Sequence, residues 1–150
     1  MTLLVQIVDL VHRPYTPSLE EFQRWVNSAV ITPVASSEVN ICLIDKDKSQ
    51  ELNHRFRKKM APTNILSFEY PNIGTLASEL LGDLIICSEL VEEEAKQQNK
   101  SLEAHFAHLT IHGMLHLQNY DHEIKEEAEQ MERLEIQIMN QLGYPNPYEK

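Results

Sequence analysis

The chain has 150 residues, of which 42% are hydrophobic and 24% are charged, as is typical of a soluble globular protein. This length predicts one domain spanning residues 1–150. No apolar run approaches the ~20 residues that a membrane span requires, and no signal-peptide pattern is present, so we expect a cytoplasmic protein. The formal net charge of −10 argues against broad, non-specific binding to nucleic acids, which depends on neutralising phosphates.

Hydrophobic periodicity and turn residues predict four strands and five helices. In chain order they are a strand at 2–9, a helix at 18–31, a strand at 39–44, a helix at about 47–58, strands at 64–70 and 80–87, and helices at 88–99, 102–118 and 123–142. This order predicts an α/β (α+β) fold in which a small, mixed, mostly parallel four-stranded sheet packs with about five helices. The consecutive third and fourth strands are expected to run antiparallel.

The second predicted helix ends in a basic cluster, which consists of His54, Arg55, Arg57, Lys58 and Lys59. Asp47 or Gln50 is expected to begin this helix, with Leu52 and Phe56 facing inward. Positive charge in the last turn suits the negative end of the helix dipole. For Lys58 and Lys59 we favour this structural explanation over a role in binding.

The helix predicted at 102–118 is apolar on nearly all sides, which indicates a buried helix. Gly113 in its middle costs about 1 kcal/mol of helix propensity relative to alanine, so it predicts close packing against a neighbour. His112 and His116 therefore belong to a core helix, where a polar side chain needs a partner. A metal ion is one such partner.

Residues 112–122, HGMLHLQNYDH, have the spacing of a metal site. His112 and His116 are four apart and so share one helix face. Asn119 tolerates the left-handed backbone that ends helices, which would allow His122 to return toward the pair. Three imidazoles leave the fourth position of Zn²⁺ to water, as in catalytic zinc sites. A chance histidine pair is the alternative in a chain with seven histidines, and we expect His105 and His108, elsewhere on this helix, to be structural.

The same segment closely resembles the H-G-x-L-H-L-x-G-Y-D-H signature of the YbeY endoribonucleases, also called rRNA maturation factors. Residues 52–68 resemble the family's L-N-x-x-(Y/F)-R-x-K-D-x-P-T-(D/N)-V-L-S-F segment, and residues 81–87 resemble its L-G-D-(I/L) strand. The resemblance covers nearly the whole chain. Two positions differ, because Asn119 replaces the usual Gly and Met60 replaces a common Asp.

The resemblance implies a single-strand-specific, metal-dependent endoribonuclease that acts in rRNA 3′-end maturation and ribosome quality control. It implies one Zn²⁺ ion held by His112, His116 and His122, with Arg57 and His112 tied to activity. Nickel or another transition metal would also suit three imidazoles. The implied partners are rRNA and a ribosomal subunit or ribosomal proteins, with no membrane.

The chemistry of these residues leaves several assignments open. Arg57 would clamp the scissile phosphate through its planar fork, and the alternative is a surface charge that closes its helix. Gly113 stands where a metalloprotease H-E-x-x-H carries its Glu, which weighs against peptide hydrolysis by that route. The nucleophile is then either water or the RNA 2′-OH. Asp121 either orients a ligand imidazole or caps the last helix. Asp83 either lines the cleft or bonds locally at a bulge, and we favour the local bond.

Two other functions fit the same residues. The first is a zinc hydrolase that acts on a non-RNA ester or amide. The second is a non-catalytic, metal-stabilised ribosome-assembly factor, in which the metal site is expected to be closed by a fourth protein ligand.

Overall fold

The computed structural model describes residues 3–32, 34, 36–69, 80–120 and 124–149. Within these ranges the elements are β1 (Leu4–Asp9), α1 (Leu19–Ser28), β2 (Glu38–Ile44), α2 (Lys46–Arg57), β3 (Ile65–Glu69), β4 (Leu80–Cys87), α3 (Ser88–Gln98), α4 (Leu102–Leu117) and α5 (Lys125–Gln141). Their order is the predicted one, and the α/β fold class is confirmed. None of the described helices combines the length and apolarity needed to cross a membrane.

The four strands form one sheet in the order β1-β2-β4-β3. β1 runs parallel to β2 and β2 parallel to β4, whereas β3 is antiparallel to β4, as predicted. The bulge expected at Asp83 lies in a continuous strand β4, because the pairing of β2 with β4 shifts register between Glu38 and Asn40. The Asn40 side-chain amide donates to Asp83 Oδ1 at 3.1 Å across this bulge, which agrees with the local role favoured for Asp83.

The start of α2 differs from the prediction. Asp45, rather than Asp47 or Gln50, caps the helix, since its side chain accepts a hydrogen bond from Lys48 N at 2.8 Å. An Asp at this position satisfies one of the first backbone N–H groups, which have no partner within the helix. The helix therefore begins at Lys46, before the predicted start at Asp47 or Gln50.

The inward face of α2 is also different from the predicted one, because it is polar. Ser49 and Asn53 are its buried residues, and Phe56 is 55% exposed. Ser49 Oγ donates to Thr63 O and accepts from Thr63 N, while Asn53 Nδ2 donates to Ala61 O at 2.7 Å. These bonds fasten α2 to the loop before β3 and turn Phe56 toward solvent.

Helix α4 is the buried helix that the sequence predicts. Phe106, Ile111, Met114 and Leu115 are completely buried on it. A Cβ atom on Gly113 would lie 2.7 Å from Leu84 Cδ2 and 2.9 Å from Ile65 Cδ1. The absence of a side chain at residue 113 thus lets α4 pack directly on β3 and β4, and this contact fixes the position of the histidine-bearing face.

Replacing Gly113 with alanine is expected to destabilise the protein by up to about 2 kcal/mol. Overpacking in a core typically costs about 1–3 kcal/mol, and the better helix propensity of alanine returns up to about 1 kcal/mol. Urea unfolding followed by circular dichroism measures the difference. An increase in stability would mean that helix propensity governs this position and would contradict a tight contact of residue 113 with Leu84 and Ile65.

Candidate active site

A cleft of about 770 Å³ lies beside the exposed part of α4. We call it the histidine cleft and define it by His112, His116 and Arg57, all of which line it. The histidines come from α4 and Arg57 is the last residue of α2. The fold therefore brings together three of the four site residues that the sequence predicts, although they are far apart in the chain.

His112 and His116 converge on one point. Their Nε2 atoms are 3.1 Å apart and their ring centroids 4.6 Å apart. Two imidazoles bound to one tetrahedral Zn²⁺ at 2.0–2.1 Å place their nitrogens about 3.3 Å apart. The pair therefore fits a shared transition-metal ion in both donor chemistry and spacing.

Glu135 on α5 fixes the orientation of His112. Its Oε1 lies 3.1 Å from His112 Nδ1. A carboxylate at this distance assigns the proton of the neutral ring to Nδ1, which leaves the Nε2 lone pair directed toward His116. Carboxylates that orient metal-binding imidazoles in this way also raise their basicity.

The environment of Glu135 is unusual for an acidic residue, because it is fully buried at 0% exposure. Its Oε1 also accepts from His108 Nε2 at 2.6 Å, and its Oε2 accepts from the Tyr148 hydroxyl at 3.0 Å. Burial raises the pKa of this carboxyl, but the hydrogen bonds from His108 and His112 outweigh it and lower the pKa to about 2. Glu135 is therefore a charged, fully partnered group at neutral pH.

His108 is structural, as the sequence predicts. Burial lowers the pKa of its imidazole, and the hydrogen bond to Glu135 only partly opposes this effect. His108 is thus the neutral donor that holds Glu135 in place. His105, one turn earlier, also contacts a carboxylate, since its Nε2 lies 2.9 Å from Glu94 Oε1.

The sequence prediction missed Glu135, although a signal for it exists. The buried residues of α5 are Met131, Glu135, Ile138 and Met139. Their spacing is that of one helix face, so Glu135 is a carboxylate within an otherwise apolar stripe. Charged residues are almost never fully buried without partners. An acid at such a position therefore predicts a buried partner that is positively charged or donates a hydrogen bond.

Arg57 is exposed, and it forms no ion pair with any residue of the described ranges. Its guanidinium is therefore not neutralised by a carboxylate there. Lys58 ends α2 in the left-handed conformation, with φ of 60°, and neither it nor Lys59 lines the histidine cleft. This placement agrees with the structural explanation favoured for the two lysines.

The remaining predicted residues surround the end of α4. Asn119 has φ of 73°, so it adopts the left-handed conformation expected where the family usually has Gly, and it lines the cleft. Asp121 and His122 lie outside the described residues, and the roles proposed for them stay predictions. Among the described residues, no group of three His, Cys, Asp or Glu side chains is arranged to hold a metal ion.

These features define an α/β protein whose cleft presents paired imidazoles and a guanidinium, groups suited to metal binding and to phosphate binding. A sequence model described as Endoribonuclease YbeY matches residues 13–143. Endoribonuclease YbeY of Coxiella burnetii strain Dugway 5J108-111 is 51% identical over 137 residues, which cover 89% of this chain and 90% of that protein. The protein of that name from strain RSA 331 gives the same values. The chain therefore belongs to the endoribonuclease YbeY family, as the resemblance predicted.

A solved structure is also similar to this chain. The solution structure of TM1509 from Thermotoga maritima has 27% sequence identity and a TM-score of 0.48. The similarity covers 87% of this chain and 88% of that one.

Proposed function

We propose that this chain is a metal-dependent endoribonuclease that cleaves single-stranded RNA and acts in the maturation of the rRNA 3′ end and in ribosome quality control. The observation that carries the proposal is the convergence of His112 and His116 Nε2, 3.1 Å apart, in the same cleft as Arg57. Membership of the endoribonuclease YbeY family supports RNA as the substrate. The proposal includes one domain spanning residues 1–150, a cytoplasmic location and a ribosomal subunit or ribosomal proteins as partners.

In this proposal His112, His116 and His122 hold one ion, for which Zn²⁺ suits the imidazole ligands and nickel or another transition metal is the alternative. The ion supplies Lewis acidity, which polarises phosphoryl oxygens and lowers the pKa of water. In the neutral ring of His112, Glu135 keeps the proton on Nδ1, which leaves Nε2 available as a ligand. The buried position of Glu135 makes this arrangement rigid.

Arg57 has a separate task in the proposed reaction. Its guanidinium donates to the non-bridging oxygens of the scissile phosphate, where negative charge develops as the bond breaks. A planar donor fork also fixes the phosphate relative to the imidazole pair. Gly113 beside His112 carries no carboxylate, so the general-base arrangement of the H-E-x-x-H peptidases is missing at this point.

The cleft favours an enzyme over a metal-stabilised scaffold. The His112 side chain is 24% exposed, and the imidazole pair lines a large cavity rather than a sealed interior. Structural zinc sites are closed by four protein ligands, whereas catalytic sites keep one position open. A site in contact with a 770 Å³ cleft is accessible to a phosphodiester.

The proposal is tested by offering the purified protein single-stranded RNA, duplex RNA, and panels of peptides and esters, each with and without a chelator. We expect cleavage of single-stranded RNA alone, loss of cleavage with chelator, and recovery on adding Zn²⁺. His116→Ala should be inactive and His54→Ala, a change at an exposed histidine outside the cleft, should be active. Turnover of a peptide or ester instead of RNA would overturn the proposed substrate, and unchanged RNA cleavage by His116→Ala would overturn the proposed site.

A further inference from the structure

Two phenylalanines form an aromatic surface on the histidine cleft. Phe56 at the end of α2 and Phe68 on β3 meet edge to face, with ring centroids 5.2 Å apart and an interplanar angle of 68°. Both line the cleft, and Phe56 is 55% exposed. An exposed aromatic ring beside a candidate active site gains hydrophobic stabilisation if a flat apolar ligand covers it.

The charge around this surface indicates what that ligand is. Phe56 lies between Arg55 and Arg57 in the chain, and Arg55 Cζ is 5.6 Å from the Phe56 ring centroid. In the described part of the chain, Arg55 and Arg57 make no ion pairs. This is a concentration of positive charge on a protein whose net charge is −10. Arg57 lines the cleft together with Phe56 and Phe68. Aromatic rings next to positive charge are features by which proteins bind single-stranded nucleic acids.

We propose that Phe56, held edge-on by Phe68, is the stacking platform for an unpaired RNA base next to the scissile phosphate. The inference rests on the proposed function, because it assigns that phosphate to Arg57. Phe56 and Arg57 are adjacent in the chain and line the same cleft, so a base stacked on Phe56 and a phosphate bound by Arg57 would belong to nucleotides close together in the RNA. Phe56 is thus a substrate-positioning residue rather than one that acts on the reacting atoms.

The platform also explains a preference for single strands. In a duplex the faces of each base are covered by its neighbours, and only unstacked bases in loops, bulges and ends can stack on an aromatic side chain. Duplex RNA can still approach the basic cluster through its phosphates, but it gains nothing from Phe56. The phenylalanine therefore adds affinity for one form of the substrate only.

The test compares Phe56→Ala, Phe56→Leu and Phe56→Trp for binding of a fluorescently labelled single-stranded RNA, in a His116→Ala background that does not cleave it. We expect Phe56→Ala and Phe56→Leu to weaken binding about 5- to 30-fold, within the range for loss of one stacked base. Phe56→Trp should retain binding, and duplex binding should be equal in all variants. Leu10→Ala, which truncates a residue that is 60% exposed and outside the cleft, is the matched control.

Kinetics in the otherwise unchanged protein give a second readout. Phe56→Ala should raise KM by the same factor by which it weakens RNA binding, and it should leave kcat within about twofold. The reason is that the stacking contact stabilises the bound substrate and the transition state equally. Full binding by Phe56→Ala, or rescue by Phe56→Leu, would overturn the stacking platform. Failure of the unsubstituted protein to cleave RNA would instead refute the proposed function, and the binding comparison would still decide the role of Phe56.

Discussion

Replacing Arg57 with alanine is expected to lower kcat for RNA cleavage about 100- to 1000-fold, the effect of removing one donor that stabilises transition-state charge. Arg57 is exposed and makes no ion pair within the described ranges, so its loss should not change the free energy of unfolding by more than about 0.5 kcal/mol. Arg57→Lys should recover only part of the rate, because an ammonium group keeps the charge but lacks the planar donor fork.

The matched control for this prediction is Arg55→Ala. Arg55 belongs to the same basic cluster but does not line the histidine cleft. Its removal should weaken RNA binding and leave kcat within about twofold. The affinity of the variant for RNA should also change less with salt concentration, because one contact with a phosphate is lost. Equal losses of kcat in the two variants would show that Arg57 contributes only general positive charge.

Replacing Glu135 with glutamine is expected to weaken metal binding about 10- to 100-fold, as is typical when the group that orients an imidazole ligand is changed. The amide oxygen can replace Oε1 as the acceptor for His108 and His112. The amide nitrogen that replaces Oε2 can only donate, so the Tyr148 hydroxyl must turn from donor to acceptor. The shape is preserved, the negative charge is lost, and one hydrogen bond is reversed. Competition with a chromophoric chelator measures the change in affinity.

The control is Glu132→Gln, which removes the same charge from the exposed side of α5. It should leave metal affinity within about twofold, and both variants should retain the helical circular dichroism of the unsubstituted protein. If Glu135→Gln and Glu132→Gln bind metal equally well, Glu135 is a structural acid that does not influence the imidazole pair.

The sequence predicts this fold well because its strongest patterns are local. The apolar, β-branched strands and the buried helix α4 are recognisable from composition and spacing, and the steric need for Gly113 follows from its position on α4. Phe56 was predicted wrongly for a physical reason. The face of α2 is chosen by hydrogen bonds from Ser49 and Asn53 to the loop at 61–63. That loop lies outside the helix, so its contacts leave no trace in the periodicity of the helix itself.

The candidate site was predicted only in part for the same kind of reason. The four-residue spacing of His112 and His116 predicts that they lie on one face of the helix. The family resemblance adds Arg57. Glu135 reaches His112 from another helix, across 23 positions of the chain, and only its place on an apolar stripe signals its burial. A contact between two helices, such as that of Glu135 with His112, becomes evident only in the folded structure.

The most direct test of the imidazole site is to measure bound metal by elemental analysis and Zn²⁺ affinity by calorimetry in the unsubstituted protein and in the alanine variants of His112, His116 and His122. We expect a single ion per chain in the unsubstituted protein and in the His54→Ala control, and loss of tight binding in each of the three variants. Retention of a tightly bound ion by either the His112→Ala or the His116→Ala variant would contradict the assignment of that residue as a ligand.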